Sequence, residues 1–326
     1  MVGNNMISII TVVFNDIKNI EKSIQNSLAQ TYRPIELIVV DGGSTDGTVD
    51  IIKKYDSSIK WISERDKGIY DAMNKGARMA TGEWLLFHNC GDFFVSQDAL
   101  KNVFDSYEDN GETFILANQI AFNFIGYKEC KPSIIEQSYF FSMPAHHPAT
   151  FIRREWQLQN LYDIKYKNSA DYDFFIKSFI KGATYKYIDQ PLVLFDCCEG
   201  TTANHYDITL RENIEILTNY GASEERILQC KNALRHFNRV KLACQWVPIL
   251  RVIKKYVNRR AYLQSGWILS RPTDTLEKYN FLCEEGESDI QEAAQAQQEP
   301  GKEDDAQAAG TIGQDTERDT QDGTCL

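Results

Sequence analysis

No run of about eighteen consecutive apolar residues occurs in this 326-residue chain, so no bilayer-spanning helix is expected. Met1–Asn5 lacks the basic, apolar, then small-residue pattern of an export leader, and a cytoplasmic location is the expectation. The eight cysteines form no C-x-x-C pair and no regular framework, and Cys197 and Cys198 are adjacent, an awkward place for a bridge. Reduced thiols are therefore expected. No internal repeat is visible. Acidic residues are missing from Lys231 to Arg271, where about ten Lys and Arg fall. From Pro272 the balance reverses, with roughly fifteen acids against three bases. The net charge of −11 thus describes neither region. What is present, 43% hydrophobic residues over this length, suffices for one large α/β domain with appendages.

The pattern of the first ninety residues alternates. Ile7–Phe14 is a β-branched run suited to a central strand, and Asn15 or Asp16 is placed to cap a helix with Ile17, Ile20, Ile24 and Leu28 on one face. A strand follows at Ile35–Val40, then a short helix bearing Val49, Ile52 and Tyr55, and a strand at Ile59–Ser63. A third helix lines up Tyr70, Met73, Ala77 and Ala80, with Asp71, Asn74, Lys75 and Arg78 expected on its other face. Trp84–Phe87 is a fourth strand. This alternation predicts a parallel sheet covered on both sides. Beyond Asp92 it loosens: strands are expected at Phe114–Ala117, Phe122–Tyr127, Thr150–Arg153, Tyr185–Ile188 and Leu192–Phe195, and a helix at Asp171–Ile180. From Ile208 the pattern is helical, and after about Glu284 it is that of a disordered tail.

IELIVVDGGSTDGT, Ile35–Thr48, is the most informative stretch. A buried-type strand delivers Asp41 to a turn rich in glycine and hydroxyls, where open α/β sheets bind ligands beyond the carboxyl ends of their strands. A carboxylate there can accept a hydrogen bond from a ring N–H such as that of uracil. The spacing is not G-x-G-x-x-G, which disfavours a dinucleotide oxidoreductase. Three further polar clusters flank strands: Phe14–Asn15, Glu64 through Asn74, and Asn89 through Asp92. In a parallel sheet all four open on one edge. Arg65 and Lys67 offer charge to a diphosphate, and a helix N-terminus follows; a solvated surface turn is the plainer alternative. Asp92 meets the sparse needs of a hard divalent cation that bridges phosphates, or it closes an Asx turn before Ser96–Leu100.

ISIITVVFND, VVDGGSTDGT, DKGIYDAMNKG, the strand into NCGDFF, and ADYDFF, taken together over about residues Met6–Thr202, resemble family 2 glycosyltransferases, most nearly the bacterial branch that builds polysaccharide and lipopolysaccharide. The resemblance implies the GT-A fold: a Rossmann-like, mixed α/β sheet with helices on both faces. It implies an inverting transfer from a nucleotide-sugar donor, UDP-linked by preference, to a lipid-linked or saccharide acceptor. By the same resemblance Thr11, Phe14 and Asn15 lie along the base and ribose, Asp41 takes the uracil N–H with Ser44 in the same turn, and Asp66, Lys67 and Asn74 line the diphosphate and sugar. Asp92 is the last carboxylate of a metal motif for Mn²⁺ or Mg²⁺; Asn89 and Gly91 stand where acids are common. Asp171, with Asp173 second, matches the catalytic base, a role compatible with merely capping its helix. His146 and His147, in a Pro-flanked loop, and His205, after the last strand, are candidates for phosphate or acceptor contact, although a lone loop histidine is more often packed or solvated.

The domain organisation expected is a glycosyltransferase domain over residues 1–205, a basic helical extension over 206–271, and an acidic tail over 272–326. Within the first, residues 1–95 are expected to bind the nucleotide and residues 96–205 the acceptor. In the extension Trp246, Leu250, Ile253 and Val257 share one helical face and Arg251, Lys255 and Arg259 another, with the helix starting near Pro248. Such a face suits an anionic membrane surface, or the apolar side packs on the catalytic domain. No nucleic-acid motif accompanies the charge. A nucleotide-sugar-binding protein without transfer activity is the alternative function.

Overall fold

Alternation of β-branched and small residues becomes, in the computed structural model, one mixed sheet with a core on each face. The structure describes residues 5–123, 126–133, 143–197, 205–246 and 268–269. In chain order the elements are β1 (Ile7–Val13), α1 (Ile20–Leu28), β2 (Ile35–Asp41), α2 (Thr48–Lys53), β3 (Lys60–Ser63), α3 (Ile69–Met79), β4 (Trp84–Phe87), β5 (Phe93–Phe94), α4 (Ala99–Phe104), β6 (Phe114–Phe122), β7 (Gly126–Cys130), β8 (Thr150–Arg153), α5 (Arg154–Gln159), α6 (Ala170–Ile180), β9 (Tyr185–Asp196), α7 (Tyr206–Asn219), α8 (Glu224–Trp246) and β10 (Ile268–Leu269). The strand order is β10-β7-β6-β8-β4-β1-β2-β3, with β9 pairing β6 and β5 pairing β9. Strands β3, β2, β1 and β4 are mutually parallel. The parallel expectation stops there, because β8 enters antiparallel beside β4 and β6 antiparallel beside β8.

Residues alternate between the two faces of β1, as a strand period of two requires. Ile7, Ile9 and Val13 join one core with Ile20 and Ile24 of α1. Ile10 and Val12 join the other with Tyr70, Met73 and Ala77 of α3, Phe174 and Phe175 of α6, and Ile216 and Leu217 of α7. The predicted inner face of α3 is therefore the observed one. Gly76 lets that helix approach: a Cβ there would stand 2.4 Å from Ile10 Cγ2 and 3.4 Å from Val40 Cγ2. Overpacking a buried contact of this kind costs about 1–3 kcal/mol, so Gly76→Ala is expected to lower the urea midpoint by a corresponding amount. An unchanged midpoint would mean that α3 does not pack this closely.

The second half departs from expectation in its strand lengths. Phe114–Ala117 runs on to Phe122, and the expected strand at Phe122–Tyr127 is instead the boundary between β6 and β7, paired as Phe122↔Tyr127. Tyr185–Ile188 and Leu192–Phe195 are one strand, since a shift of register against β6 around Asn118↔Pro191 accommodates the proline in its middle. Helix α1 begins at Ile20, four or five residues past the expected caps; Asp16 still closes the entry, its Oδ1 accepting the Asn19 N–H at 3.3 Å. Helix α8 ends at Trp246, and β10 pairs with the outer edge of β7. The basic segment with Leu250, Arg251, Ile253, Lys255, Val257 and Arg259, its expected start near Pro248, and the acidic tail from Pro272 lie outside the described residues. Among the described residues no helix is long and apolar enough to cross a membrane.

Candidate active site

Adjacent strands end in register at one edge, which is where the polar clusters gather. Val13 pairs with Asp41, and Asp41 with Ser63. On the other side of β1 the chain keeps pairing past β4: His88 N–H donates to Ile10 O at 2.9 Å and Cys90 N–H to Val12 O at 3.2 Å. It then turns through Gly91, at φ +95°, with Asp92 N–H donating to Asn89 O at 2.9 Å. Asp41 and Asp92 are thus delivered by neighbouring strands on either side of the β1 terminus.

Asp41 is fully buried. Its Oδ2 accepts three hydrogen bonds, from Gly43 N–H (3.0 Å), Ser44 N–H (2.9 Å) and Ser63 Oγ (2.6 Å). Its Oδ1 has no partner among the described residues. A buried carboxylate oxygen left unpaired is costly unless something donates to it. The surrounding turn is knitted across the two strand ends. Asn15, at φ +51°, donates its N–H to Ser44 Oγ (2.7 Å) and accepts Thr45 N–H on Oδ1 (2.8 Å). Phe14 is 63% exposed beside this turn. Gly42 admits both Phe14 and Asp66, since a Cβ there would meet Asp66 Oδ2 at 2.5 Å and Phe14 Cδ2 at 3.3 Å. Asp66 Oδ1 in turn accepts Gly68 N–H at 2.9 Å, which folds the 66–68 loop over the end of β2. Lys67 is exposed, and its N–H donates to Asp71 Oδ2 at 3.0 Å.

Asp92 is nearly buried, and its Oδ2 accepts Asn89 N–H at 3.1 Å; burial pushes its carboxyl up to about 7. Asn89 Oδ1 is buried without a partner among the described residues. Cys90 Sγ donates to Asp16 Oδ2 at 3.4 Å, and burial beside Asp16 holds this thiol well above its ordinary range. Among the described residues no three His, Cys, Asp or Glu side chains form a complete cage for a metal. Asp92 with the orphaned amide oxygen of Asn89 nevertheless offers two hard oxygen donors, which fits a cation whose other ligands are phosphate and water.

Asp171 opens α6. Its Oδ1 accepts Tyr70 OH and Tyr172 N–H, each at 2.9 Å. Burial, against the opposing effect of the Tyr70 bond, pushes this carboxyl up to about 6. Asp173, two residues on, turns towards the end of α7, where Tyr220 OH donates to its Oδ1 at 3.1 Å; burial raises it too.

Three residues expected to touch ligand are held inside. Thr11 is fully buried and its hydroxyl donates to His88 O at 2.8 Å, so it anchors the β4 exit. Asn74 is 4% exposed; its amide donates to Tyr162 O (2.9 Å) and accepts Tyr162 N–H (3.0 Å). It lies one turn beyond Tyr70, on the same helix face, which is why it points inward rather than with Asp71. His147 stacks on Phe87 with ring centroids 5.3 Å apart and shares a 2.7 Å hydrogen bond with Tyr162 OH; burial pushes it down to about 4, leaving no charge for a phosphate. His146 is half-buried and its basicity is lowered by burial, with Nε2 unpartnered among the described residues. His205 is exposed at the head of α7, where its carbonyl accepts Asn168 Nδ2–H at 3.1 Å. Ser63 and Tyr162 also belong to this edge, and no local sequence pattern marks them for it; Tyr70 lies within the Glu64–Asn74 stretch, where its spacing assigns it only to the core face of α3.

The model of the family described as Glycosyl transferase family 2 matches residues 8–170. The chain belongs to that family. Among curated relatives, the PGL/p-HBAD biosynthesis glycosyltransferase of Mycobacterium bovis is 29% identical over 178 residues, 53% of this chain and 70% of the relative. The chondroitin synthase of Escherichia coli is 26% identical over 180 residues, 53% of this chain but 26% of that longer protein. Two solved structures share the fold. S. aureus TarS 1-349, in complex with UDP-GlcNAc, superposes with a TM-score of 0.53 at 18% identity, covering 72% of this chain and 73% of that 1-349 chain. The mannosyltransferase PcManGT from Pyrobaculum calidifontis, in complex with GDP-Man and Mn2+, gives 0.54 at 14% identity, covering 84% and 85%. The architecture is thus the GT-A glycosyltransferase fold, and transfer of glycosyl groups from nucleotide sugars is the activity class of the family.

Proposed function

We propose that this family 2 glycosyltransferase binds a UDP-sugar along the β1–β2 edge and transfers the sugar, with inversion, to a lipid-linked or saccharide acceptor in surface polysaccharide assembly. The observation that carries the donor reading is Asp41: three donors fix its Oδ2, and Oδ1 is left for one more. The N3–H of uracil is a donor of the required kind, with Phe14 beside it as an exposed aromatic face for the base. TarS 1-349 in complex with UDP-GlcNAc supports a nucleotide-diphosphate donor, and PcManGT in complex with GDP-Man and Mn2+ supports one held with a divalent ion.

In this reading Asp171 takes the proton of the acceptor hydroxyl as that oxygen attacks the anomeric carbon, on the face opposite the departing diphosphate. The ammonium of Lys67, projecting from the loop folded over β2, neutralises charge building on the diphosphate. Asp92 and Asn89 Oδ1 would hold Mn²⁺ or Mg²⁺, which when bound supplies the larger share of that neutralisation. The basic segment after Trp246 would bring the enzyme to an anionic cytoplasmic membrane face, where lipid-linked acceptors lie.

Calorimetry against UDP, GDP and dTDP with Mn²⁺ tests the donor assignment. UDP is expected to bind tightest, and Asp41→Ala to weaken it about tenfold, the worth of one hydrogen bond to a charged acceptor. UDP affinity left unchanged in Asp41→Ala would remove Asp41 as the base reader. Because a single carboxylate stands in the metal motif, with Gly91 and Asn89 around it, binding without transfer is the second reading. Metal-dependent hydrolysis of UDP-GlcNAc would exclude it, and UDP binding with no turnover on any acceptor would favour it.

A further inference from the structure

The tyrosine of DKGIYDAMNKG has no role in the donor and base assignments above, yet its hydroxyl joins α3 to the Asp171 carboxylate. Tyr70 OH donates to Asp171 Oδ1 at 2.9 Å across 101 residues of chain. We propose that Tyr70 is a positioning residue that holds Oδ1 of Asp171, turns Oδ2 toward the acceptor hydroxyl, and couples the base to the donor loop; this rests on the reading of Asp171 as the base.

The hold is rigid because the surroundings of Tyr70 are fixed. It is 7% exposed, and its ring lies 5.5 Å from that of Tyr162. Tyr162 packs on Phe174 (5.1 Å) and Phe87 (5.4 Å), and Asn74 grips its backbone from one turn further along the same helix. The phenol is too confined to swing, so its oxygen fixes one carboxylate oxygen in place. Tyr70 also stands two residues from Gly68, whose N–H is bound to Asp66, and Lys167 Nζ donates to Lys67 O at 3.1 Å across the adjoining cleft. That cleft is lined by Lys67–Asp71 on one wall and Ile164, Tyr166 and Lys167 on the other. A donor that engages the 66–68 loop therefore acts on the same helical turn that aims the base.

The groups that face Asp171 are Tyr70 from α3, Tyr162 from the chain before α6, and Glu212 from α7. Burial and Asp171 hold the Tyr70 hydroxyl well above its ordinary range, so it stays a donor at every working pH. Removing that donor leaves burial and Glu212 to favour the protonated carboxyl, with only backbone N–H groups opposing them.

The test is a ¹³C NMR titration of the full-length protein labelled at aspartate, with the Asp171 signal identified by its loss in Asp171→Asn. Tyr70→Phe keeps the ring and its packing. It is expected to raise the proton affinity of Asp171 about tenfold, moving its midpoint to higher pH, and to lower kcat about tenfold with the KM for UDP-GlcNAc within about twofold. An unmoved or more acidic midpoint would overturn the proposal. Should Tyr70→Phe fail to fold, fluorotyrosine at position 70, a stronger donor of the same shape, must move the midpoint the opposite way; a midpoint unmoved there also overturns it. If Asp171→Asn keeps its turnover, the base assignment fails by itself, while the titration still reports whether Tyr70 holds the carboxylate.

Discussion

Asp171→Asn is expected to lower turnover about a thousandfold while UDP affinity stays within about twofold, because a positioned general base contributes roughly 10²–10⁴ to rate and nothing to nucleotide binding. The amide keeps the shape of the side chain and can still accept from Tyr70 OH, so the loss would report proton transfer rather than misfolding. As the proposed base, the same group would also set a pH dependence. With its carboxyl pushed up to about 6 by burial, Asp171 is charged and able to accept a proton above that value, and kcat/KM is expected to fall as pH drops through it. A base with an ordinary carboxylate would stay active about two pH units lower. Steady-state rates of UDP release, paired with calorimetry for UDP, separate the two effects. Retention of more than about a tenth of wild-type turnover would transfer the base role elsewhere, with Asp173 as the nearest carboxylate on the helix.

The second large effect belongs to Asp92. Asp92→Ala is expected to reduce UDP affinity on the order of a hundredfold in Mn²⁺ and to leave it unchanged in EDTA, because only the metal-bridged component of the interaction is lost. Burial of the wild-type carboxylate sharpens the contrast: it sits 7% exposed, with the Asn89 N–H as a hydrogen-bond partner. A bound cation would replace the water it has lost. Equal loss with and without metal would mean that Asp92 acts by shaping the Asn89–Gly91 turn instead.

Much of this site can be read in the sequence because strands and helix starts advertise themselves locally. A β-branched run ending in Asp, as at Asp41, fixes both the depth and the edge at which a carboxylate arrives, and the ends of β1 and β4 follow from the same signal. What is not legible involves contacts between distant segments. Nothing near Tyr70 announces that it will meet Asp171, and nothing near Ser63 that its hydroxyl will bind Asp41. Side-chain chemistry assigns Asn74 to the polar face, but helix geometry puts it on the face of Tyr70, where the backbone of Tyr162 satisfies its amide. His147 reads as an available Pro-flanked loop residue; its stacking on Phe87 depends on the antiparallel entry of β8, which a local pattern does not encode.

The proposed chemistry requires a nucleotide diphosphate seated between Asp41 and Asp92, with Asp171 approaching from α6. A crystal structure with UDP and Mn²⁺ tests it most directly. Expected are uracil N3 within hydrogen-bonding distance of Asp41 Oδ1, Asp92 among the groups that hold the metal, and Asp171 beyond the β-phosphate. UDP found instead at the opposite edge of the sheet, in the cavity of about 440 Å³ lined by Thr81, Gly82 and Arg154, would contradict it.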